Sequence, residues 1–269
     1  MKKNERICAI TKILAEHPNQ VMTYNYFCQL FDASKTSVCE DVAVVKNTFE
    51  LMKTGRIETV PGAAGGVRYL PVITEKEEKA ILLEIADLLM DPKRQIQGGF
   101  VYYSDILSSP YYAERLGKII AGKYIDQGVQ HVVTTETKGI SVALESARVL
   151  NVPMTVIRRT NKVTEGATTS MNYVSGSSSK INTMYLSRRI DLEGKKVLVI
   201  DDFMKGGGTA KGMMNLMEEV GAEVVGPCVI FVAEAPEEKL VKSYRHLLSI
   251  KIGSENDRSD ALEISLCDN

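Results

Sequence analysis

The sequence predicts an α/β protein with two domains: a helical N-terminal domain with a glycine-rich hairpin, and a larger domain around a central parallel sheet. In residues 1–70, three segments with apolar residues at helical spacing precede two short β-prone segments. From residue 74 onwards, β-prone runs alternate with helical patterns, as in proteins with a parallel sheet. Because a charged, proline-containing stretch at 71–78 separates the two patterns, we expect domains at residues 1–73 and 74–269.

Composition limits the classes to which the chain can belong. The 269 residues are 44% hydrophobic and 25% charged, which is ordinary for a soluble globular protein. No apolar run has membrane-spanning length and the N-terminus lacks the apolar core of a signal peptide, so we expect a cytoplasmic protein without membrane contact. The five cysteines and three histidines are scattered without disulfide or metal-ligand spacing. We therefore expect free thiols and no metal site.

The first domain begins with three predicted helices. Isoleucines and a leucine give residues 3–16 one apolar face, and His-Pro-Asn at 17–19 ends this helix. A second helix is expected over residues 23–30, with Thr23 as its N-cap. A third begins at Ser34 or Lys35, because three valines and a phenylalanine follow at helical spacing.

Two short strands are predicted next, at residues 54–60 and 66–70, around a Pro-Gly-Ala-Ala-Gly turn. Three helices and a glycine-rich hairpin form a winged helix-turn-helix, a common DNA-binding architecture. Small hydroxylated and basic residues at a helix start suit contacts with phosphates and base edges in the major groove. Arginines and glycines in the wing suit contacts with the DNA backbone. The candidate DNA-binding residues are Ser34, Lys35, Thr36, Ser37, Arg56, Gly62, Gly65, Gly66 and Arg68.

A second interpretation of this domain is a small helical dimerisation or regulatory module. Residues 1–74 carry nine Lys or Arg against seven Asp or Glu, which is only a modest excess of positive charge. Hydroxyl side chains at a helix start are also good caps, so Ser34, Thr36 and Ser37 have an alternative role in stabilising the helix alone.

The second domain opens with a predicted helix at residues 75–89, preceded by a capping box of Thr74 and Glu77. The polar stretch 158–189 alternates at Ile181, Met184 and Leu186, which fits a β-hairpin. Its basic residues Arg158, Arg159 and Lys162 are candidates to steer a polyphosphate, or are simply solvated. Ligands of open parallel sheets bind beyond the carboxyl ends of the strands. We expect strands at residues 100–103, 130–135, 153–158, 196–200 and 224–233, and helices at 112–124, 141–150 and 210–220.

The strongest functional motif is V-L-V-I-D-D-F-M-K-G-G-G-T at residues 197–209. Two carboxylates at a strand end can accept hydrogen bonds from two vicinal hydroxyls. The N–H groups of a glycine-rich loop can surround a phosphate beside the positive end of a helix dipole. A plain strand, turn and helix is the alternative. The motif predicts a ribose 5-phosphate site at Asp201, Asp202, Phe203, Met204, Lys205, Gly206, Gly207, Gly208 and Thr209.

This motif resembles the phosphoribosyl pyrophosphate (PRPP) signature of type I phosphoribosyltransferases. The resemblance implies that the two acids bind the ribose hydroxyls and that the loop binds the 5-phosphate. The family loop usually has Thr where this chain has Gly206, so one hydroxyl donor is lost while the N–H groups remain. Residues 134–140 join a strand to a helix and look like the pyrophosphate loop of the family. The candidate residues there are Thr135, Glu136, Thr137, Lys138 and Gly139.

Across its whole length the chain resembles the purine operon repressors of Gram-positive bacteria. The match is carried by V-P-G-A-A-G-G-V at 60–67, G-G-F-V-Y at 98–102 with D-I-L at 105–107, and the signature. The second domain also resembles xanthine phosphoribosyltransferase. The resemblance implies a homodimer that binds double-stranded DNA upstream of purine genes, with PRPP weakening DNA binding in the repressors, while other members activate. It also places Tyr102 at the effector site, although the residue pattern alone favours a core aromatic with its hydroxyl satisfied.

The resemblance further implies effector sensing without catalysis, so we expect no catalytic residue and no cofactor. The competing hypothesis is a purine phosphoribosyltransferase with an added regulatory domain. A third possibility is a different compact polyphosphate, such as guanosine tetraphosphate, that uses the same loops.

Overall fold

The computed structural model describes residues 1–62, 65–96, 100–174, 180–251 and 262–267. The chain divides into two compact units. The first comprises Met1–Glu75 with Arg148–Asn151, and the second comprises Lys76–Ala147 with Val152–Asn269.

The N-terminal unit contains three helices and a three-stranded antiparallel sheet with the strand order β1-β3-β2. The three helices predicted from apolar spacing are confirmed, and so is the hairpin that follows them. A two-residue strand, β1, was not predicted because it is too short to show a periodic pattern. In chain order the elements are α1 (Lys3–Glu16), β1 (Met22–Thr23), α2 (Tyr24–Phe31), α3 (Lys35–Met52), β2 (Arg56–Val60) and β3 (Gly66–Leu70).

The caps and the core explain why this unit folds as the pattern predicts. Thr23 accepts a hydrogen bond from the backbone N–H of Tyr26 at 3.1 Å, as expected for the N-cap of α2. Asp32 ends α2 in the left-handed region with φ 48°. The apolar faces of the helices meet in one cluster with the inner face of the hairpin. Its buried members are Ile10, Leu14, Met22, Phe27, Phe31, Val38, Val42, Val45, Phe49, Ile57, Val67 and Tyr69.

The second unit is built on a six-stranded sheet with the order β13-β12-β11-β10-β6-β7. Its strands pair in parallel except for the edge pair β12–β13. Two antiparallel hairpins, β4–β5 and β8–β9, lie outside this sheet. The elements are α4 (Glu75–Leu89), β4 (Gln95–Ile96), β5 (Phe100–Val101), α5 (Ser104–Ser108), α6 (Pro110–Tyr124), β6 (His131–Thr135), α7 (Ile140–Leu150), β7 (Met154–Ile157), β8 (Thr168–Val174), β9 (Ile181–Ser187), β10 (Lys196–Met204), α8 (Gly208–Glu219), β11 (Glu223–Ala233), β12 (Arg245–Lys251) and β13 (Glu263–Leu266).

The alternation of strands and helices predicted for this unit is confirmed, and several of the predicted bounds are wrong. The strand expected at 100–103 ends at Val101, and the short helix α5 follows. The strand expected at 196–200 continues to Met204, because residues beyond Ile200 remain paired with β11. Helix α8 begins at Gly208, two residues before the expected start. Strands β12 and β13 were not predicted.

The β-hairpin expected in the polar stretch is confirmed as β8–β9. The two strands pair from Thr168 opposite Ser187 to Val174 opposite Ile181. The hairpin packs against α8, where a Cβ on Gly212 would lie 2.8 Å from the side chain of Tyr173. Close packing therefore requires glycine at this point of α8. Among the helices of the described ranges, none is long and apolar enough to cross a bilayer.

Candidate functional site

The candidate site lies where two neighbouring central strands end. Strands β6 and β10 run in parallel, with Thr134 opposite Ile200, so the segments that follow them leave the sheet side by side. A Cβ on Gly139 would lie 3.2 Å from Thr134 Oγ1 and 3.3 Å from the backbone N of Asp202. Glycine at 139 therefore allows the two segments to approach closely.

A cavity of about 390 Å³ opens at this edge of the sheet. Its lining combines residues of the loop after β6 with residues at the end of β10. The sequence predicted that these two segments bind two parts of one ligand. Arg159, which the sequence offered only as a steering cation, also lines the cavity, and Tyr103 was not predicted at all. The lining residues are Tyr103, Glu136, Thr137, Lys138, Arg159, Asp202 and Phe203.

The paired acids differ in environment. Asp201 is 4% exposed, and one of its carboxylate oxygens accepts the backbone N–H of Asp202 at 3.0 Å. Burial, and then the neighbouring charge of Asp202, raise the pKa of Asp201 well above its usual value. Asp202 is only half-buried and lines the cavity. Burial therefore disfavours a negative charge on Asp201.

Tyr103 connects this acid to the rest of the cavity. Its hydroxyl donates to Asp202 Oδ2 at 2.7 Å, and its ring stacks on Phe203 with centroids 6.0 Å apart. The Lys138 ammonium lies over the same ring, 4.3 Å from its centroid. Burial and the adjacent Asp202 raise the pKa of Tyr103, so the hydroxyl remains a donor.

Tyr102 is not among the residues that line this cavity. Its side chain is 47% exposed, so the interpretation as a core aromatic is wrong. Strand alternation did not reveal Tyr103, because β5 ends at Val101 and residue 103 is instead the N-cap of α5. The signal that could have found Tyr103 is its position immediately before the start of α5, because the chain changes direction there and strand alternation no longer applies.

The loop after β6 is held by contacts with the residues that follow β7. Glu136 accepts the Arg158 guanidinium at 3.0 Å and the backbone N–H of Arg159 at 2.9 Å. The Arg159 N–H bond lowers the pKa of Glu136; burial opposes this, but the Arg158 contact adds to the lowering, so the pKa lies below its usual value. Arg158 also pairs with Glu165 at 3.2 Å. Among the lining residues, Lys138 and Arg159 therefore supply positive charge to the cavity. The peptide bond Glu136–Thr137 is cis.

The glycine-rich loop follows directly after β10. Gly207 has φ +83° and is the N-cap of α8, a conformation that favours glycine. The Gly206 carbonyl accepts the N–H of Leu240 at 2.9 Å, which ties the loop to the segment after β11. The first N–H groups of α8 have no partner within the helix itself. Residues Lys205, Gly206, Gly207, Gly208 and Thr209 do not line the 390 Å³ cavity, although they leave the same strand.

In the N-terminal unit, the predicted helix start is exposed. Lys35 and Thr36 are exposed on the first turn of α3. Ser34 accepts the backbone N–H of Ser37 at 3.2 Å, so it is the N-cap of α3, and its hydroxyl also contacts that of Ser37 at 3.0 Å. The capping role weighed for Ser34 is therefore present, and Lys35 is the cation that this turn presents.

The wing arginines are both paired with one acid. Arg56 Nε lies 2.7 Å from Glu58, and a terminal nitrogen of Arg68 lies 2.8 Å from the other oxygen of that carboxylate. Arg68 also donates to Asn19 Oδ1 at 3.1 Å. Burial alone would raise the pKa of Glu58, but the Arg68 and Arg56 contacts outweigh it and hold that pKa below its usual value.

The wing glycines have backbone roles. Gly62 has φ +126°, and its carbonyl accepts the N–H of Gly65 at 2.9 Å. A Cβ on Gly66 would overlap the Met22 carbonyl of β1. Turn geometry and close strand packing therefore account for these glycines without a phosphate contact.

Comparison with known proteins identifies the family. Residues 2–71 match the family described as bacterial purine repressor, N-terminal, and residues 103–260 match the phosphoribosyl transferase domain. The purine biosynthesis transcriptional repressor PurR of Bacillus subtilis (strain 168) is 40% identical over 258 residues, which are 96% of this chain and 90% of that protein. The chain belongs to the PurR family. The PurR family also includes a purine biosynthesis transcriptional activator of Lactococcus lactis subsp. lactis (strain IL1403), which is 41% identical over 93% of this chain and 92% of that protein.

Phosphoribosyltransferases match part of this PurR family chain. A xanthine phosphoribosyltransferase of L. lactis subsp. cremoris (strain MG1363) is 41% identical over 114 residues, which are 42% of this chain and 58% of the enzyme. The solved adenine phosphoribosyltransferase of Saccharomyces cerevisiae has a TM-score of 0.53 at 17% identity, covering 63% of this chain and 98% of that one. That of Thermoanaerobacter pseudethanolicus has a TM-score of 0.52 at 21% identity, covering 63% and 99%. These structures confirm the predicted phosphoribosyltransferase fold with its central parallel sheet.

All five cysteines are free thiols. Within the ranges that the structure describes, no cluster of three His, Cys, Asp or Glu side chains could hold a metal ion.

Proposed function

We propose that this chain is a DNA-binding transcriptional regulator of purine biosynthesis genes that uses PRPP as its effector. One observation carries the proposal: a chain with a bacterial purine repressor N-terminal domain also has a cavity that joins a half-buried carboxylate to two cations. We assign DNA binding to residues 1–73 and effector binding to residues 74–269. Because DNA is its target, the proposed regulator acts in the cytoplasm.

The chemistry of the cavity supports PRPP as the ligand class. Asp201 and Asp202 are the proposed acceptors for the ribose hydroxyls, because carboxylate oxygens accept from vicinal O–H groups. Lys138 and Arg159 are the proposed partners of the pyrophosphate, and residues 205–209 bind the 5-phosphate at the start of α8. Tyr102 keeps its place among the proposed effector contacts on the family resemblance.

For DNA we propose that the exposed start of α3 enters the major groove and that the wing contacts the backbone, in a homodimer on double-stranded operator DNA. Lys35 and Thr36 support this because they are exposed on the first turn of α3. We propose that PRPP weakens DNA binding, as the family resemblance implies for the repressors. Such an effect requires PRPP to bind the DNA-free state more tightly than the DNA-bound state.

The second candidate function is a purine phosphoribosyltransferase. The observation that favours it is the match of 114 residues to a xanthine phosphoribosyltransferase. We propose instead that the site binds without transferring a base, so that it has no catalytic residue. Incubation of the full chain with PRPP and each purine base, followed by chromatography for nucleotide, separates the two functions. Nucleotide formation would establish the enzyme.

The regulator is tested by the affinity of the full chain for DNA from upstream of a purine biosynthesis gene, measured by fluorescence anisotropy. We expect PRPP to raise the Kd for DNA by about 5- to 150-fold, the usual range of such coupling. The Asp201→Ala, Asp202→Ala double variant should keep its DNA affinity and lose this response. Asp191→Ala, which removes an exposed acid of the same unit, should respond like the wild type.

Three outcomes would contradict parts of this proposal. A PRPP response that survives in the double variant would remove the acids from the effector site. Tighter DNA binding with PRPP would reverse the proposed direction of the effect. Competition with guanosine tetraphosphate in the same assay tests the ligand, because stronger binding of the guanine nucleotide would displace PRPP as the proposed effector.

A further inference from the structure

Two side chains that we assign to different parts of the ligand share one neighbour. The Tyr103 hydroxyl donates to Asp202 Oδ2 at 2.7 Å, and the Lys138 ammonium lies 4.3 Å from the centroid of the Tyr103 ring. One tyrosine therefore contacts both the proposed acceptor for ribose and a proposed cation for pyrophosphate.

Tyr103 is held firmly enough to position other groups. Its side chain is 8% exposed, and its ring stacks on Phe203 with the planes 12° apart. Phe231 packs against it from another direction, with centroids 5.0 Å apart. A side chain enclosed in this way keeps one rotamer, which is what a supporting residue in a binding site needs.

The two contacts use different parts of the tyrosine. A carboxylate offers about four acceptor positions, so the hydroxyl that occupies one position on Oδ2 orients the carboxyl group and leaves others for a ligand. The ring face attracts the ammonium of Lys138 and keeps it near the cavity. Groups held in their binding arrangement lose less entropy when the ligand arrives.

We propose that Tyr103 is a positioning residue of the effector site: its hydroxyl orients Asp202 toward the ribose hydroxyls, and its ring holds Lys138 toward the pyrophosphate. This inference rests on the proposed function, in which the cavity binds PRPP. It assigns the Tyr103 hydroxyl to the binding of ribose and the Tyr103 ring to the binding of pyrophosphate.

The separate roles of the Tyr103 hydroxyl and ring can be measured by isothermal titration calorimetry with PRPP, ribose 5-phosphate and inorganic pyrophosphate. Tyr103→Phe removes only the hydroxyl, so we expect it to weaken PRPP and ribose 5-phosphate by about fivefold, the effect of one hydrogen bond. Pyrophosphate, which does not need Asp202, should change by less than about twofold. Tyr103→Leu also removes the aromatic face, so it should weaken pyrophosphate as well, by about threefold.

A general loss of stability is the alternative explanation, and Tyr124→Phe is the matched control. Tyr124 is 2% exposed and does not line the cavity, so this variant removes a buried hydroxyl elsewhere in the same unit. It should leave all three affinities at their wild-type values, and thermal unfolding of every variant reports whether the fold is intact.

The inference is overturned if Tyr103→Phe weakens pyrophosphate as much as ribose 5-phosphate, or if it changes none of the three affinities. A wild-type protein that binds none of the three ligands would instead refute the proposed function. The two failures are therefore distinguishable.

Discussion

At the scale of single residues, the charge of the acid pair suits an anionic ligand. Asp201 is buried and Asp202 lines the cavity, and the pKa of Asp201 is raised first by burial and then by its neighbour. Two fully charged carboxylates would repel a polyphosphate as well as each other. A pair that holds one charge keeps its acceptor oxygens and reduces that repulsion.

Asp201 should lower the stability of the fold at neutral pH. In the unfolded chain its pKa is about 3.9. Because the folded value is higher, the native state binds more protons than the unfolded state between the two values, and stability falls as pH rises across that window. Asp201→Asn keeps an oxygen for the N–H of Asp202 and does not titrate. We expect its Tm at pH 8 to exceed that of the wild type by about 3 °C or more in scanning calorimetry.

The same comparison at lower pH provides the internal control. Near pH 4 the wild-type Asp201 is increasingly protonated in both states, so the advantage of the variant should shrink. Asp191→Asn, at an exposed position, should follow the wild type at both pH values. An Asp201→Asn protein with a lower Tm at pH 8 would show that the buried carboxylate stabilises the fold.

The candidate site could be predicted from sequence where its residues are adjacent in the chain. Asp201 and Asp202 follow an apolar run and precede glycines, so a local motif reveals them. Tyr103 could not be found in this way, because its contacts with Asp202 and Phe231 join segments about 100 to 130 residues apart. Tertiary contacts with Asp202, Phe203 and Phe231 place it in the site.

At the scale of elements, sequence periodicity predicted those elements that bury one continuous face. Helix α1 was found because its apolar residues repeat at helical spacing, and the hairpin β8–β9 because Met184 and Leu186 stand two residues apart on its buried face. The predicted end of β10 at residue 200 was too early, because two acidic residues in a row are typical of a loop. The pairing with β11 nevertheless continues through Phe203 and Met204. Strands β4 and β5 are too short for any repeat to appear.

The N-terminal unit depends on a buried ion pair between α1 and α3. Arg6 Nε lies 2.7 Å from an oxygen of Asp41, whose side chain is 1% exposed. Arg6→Met would leave that carboxylate buried without its cation. We expect a loss of about 3–5 kcal/mol in the free energy of unfolding of this unit, measured by urea denaturation of the full chain.

The exposed pair Lys12–Glu16 on the same helix provides the control for this prediction. Both of its side chains are more than half exposed, so Lys12→Met should change stability little. Equal effects of the two variants would mean that the charge of Arg6 contributes no more than a surface pair. In that case the position of α3 would depend on the apolar cluster alone.

At the scale of the whole molecule, one chain combines two units whose proposed ligands are both phosphate-rich. The chain carries a formal net charge of −1, so attraction to DNA must come from the local arrangement of cations. In the wing, Glu58 pairs with both Arg56 and Arg68 and reduces their combined charge. Lys35 contributes a cation at the start of α3. The structure therefore changes which cation we expect to matter most for DNA binding.

The salt dependence of DNA affinity tests this expectation. Each phosphate contact contributes about 0.9 to the slope of log K against log salt concentration. Lys35→Ala should therefore lower the slope by about 1.8 in a homodimer. Arg68→Ala should also weaken binding and flatten the slope.

Glu58→Gln frees both wing arginines, so it should strengthen binding and steepen the slope. Anisotropy titrations from 50 to about 200 mM salt measure all three. An unchanged slope in Lys35→Ala would exclude that residue from the phosphate contacts, and weaker binding by Glu58→Gln would show that its carboxylate supports the wing instead of masking its charge.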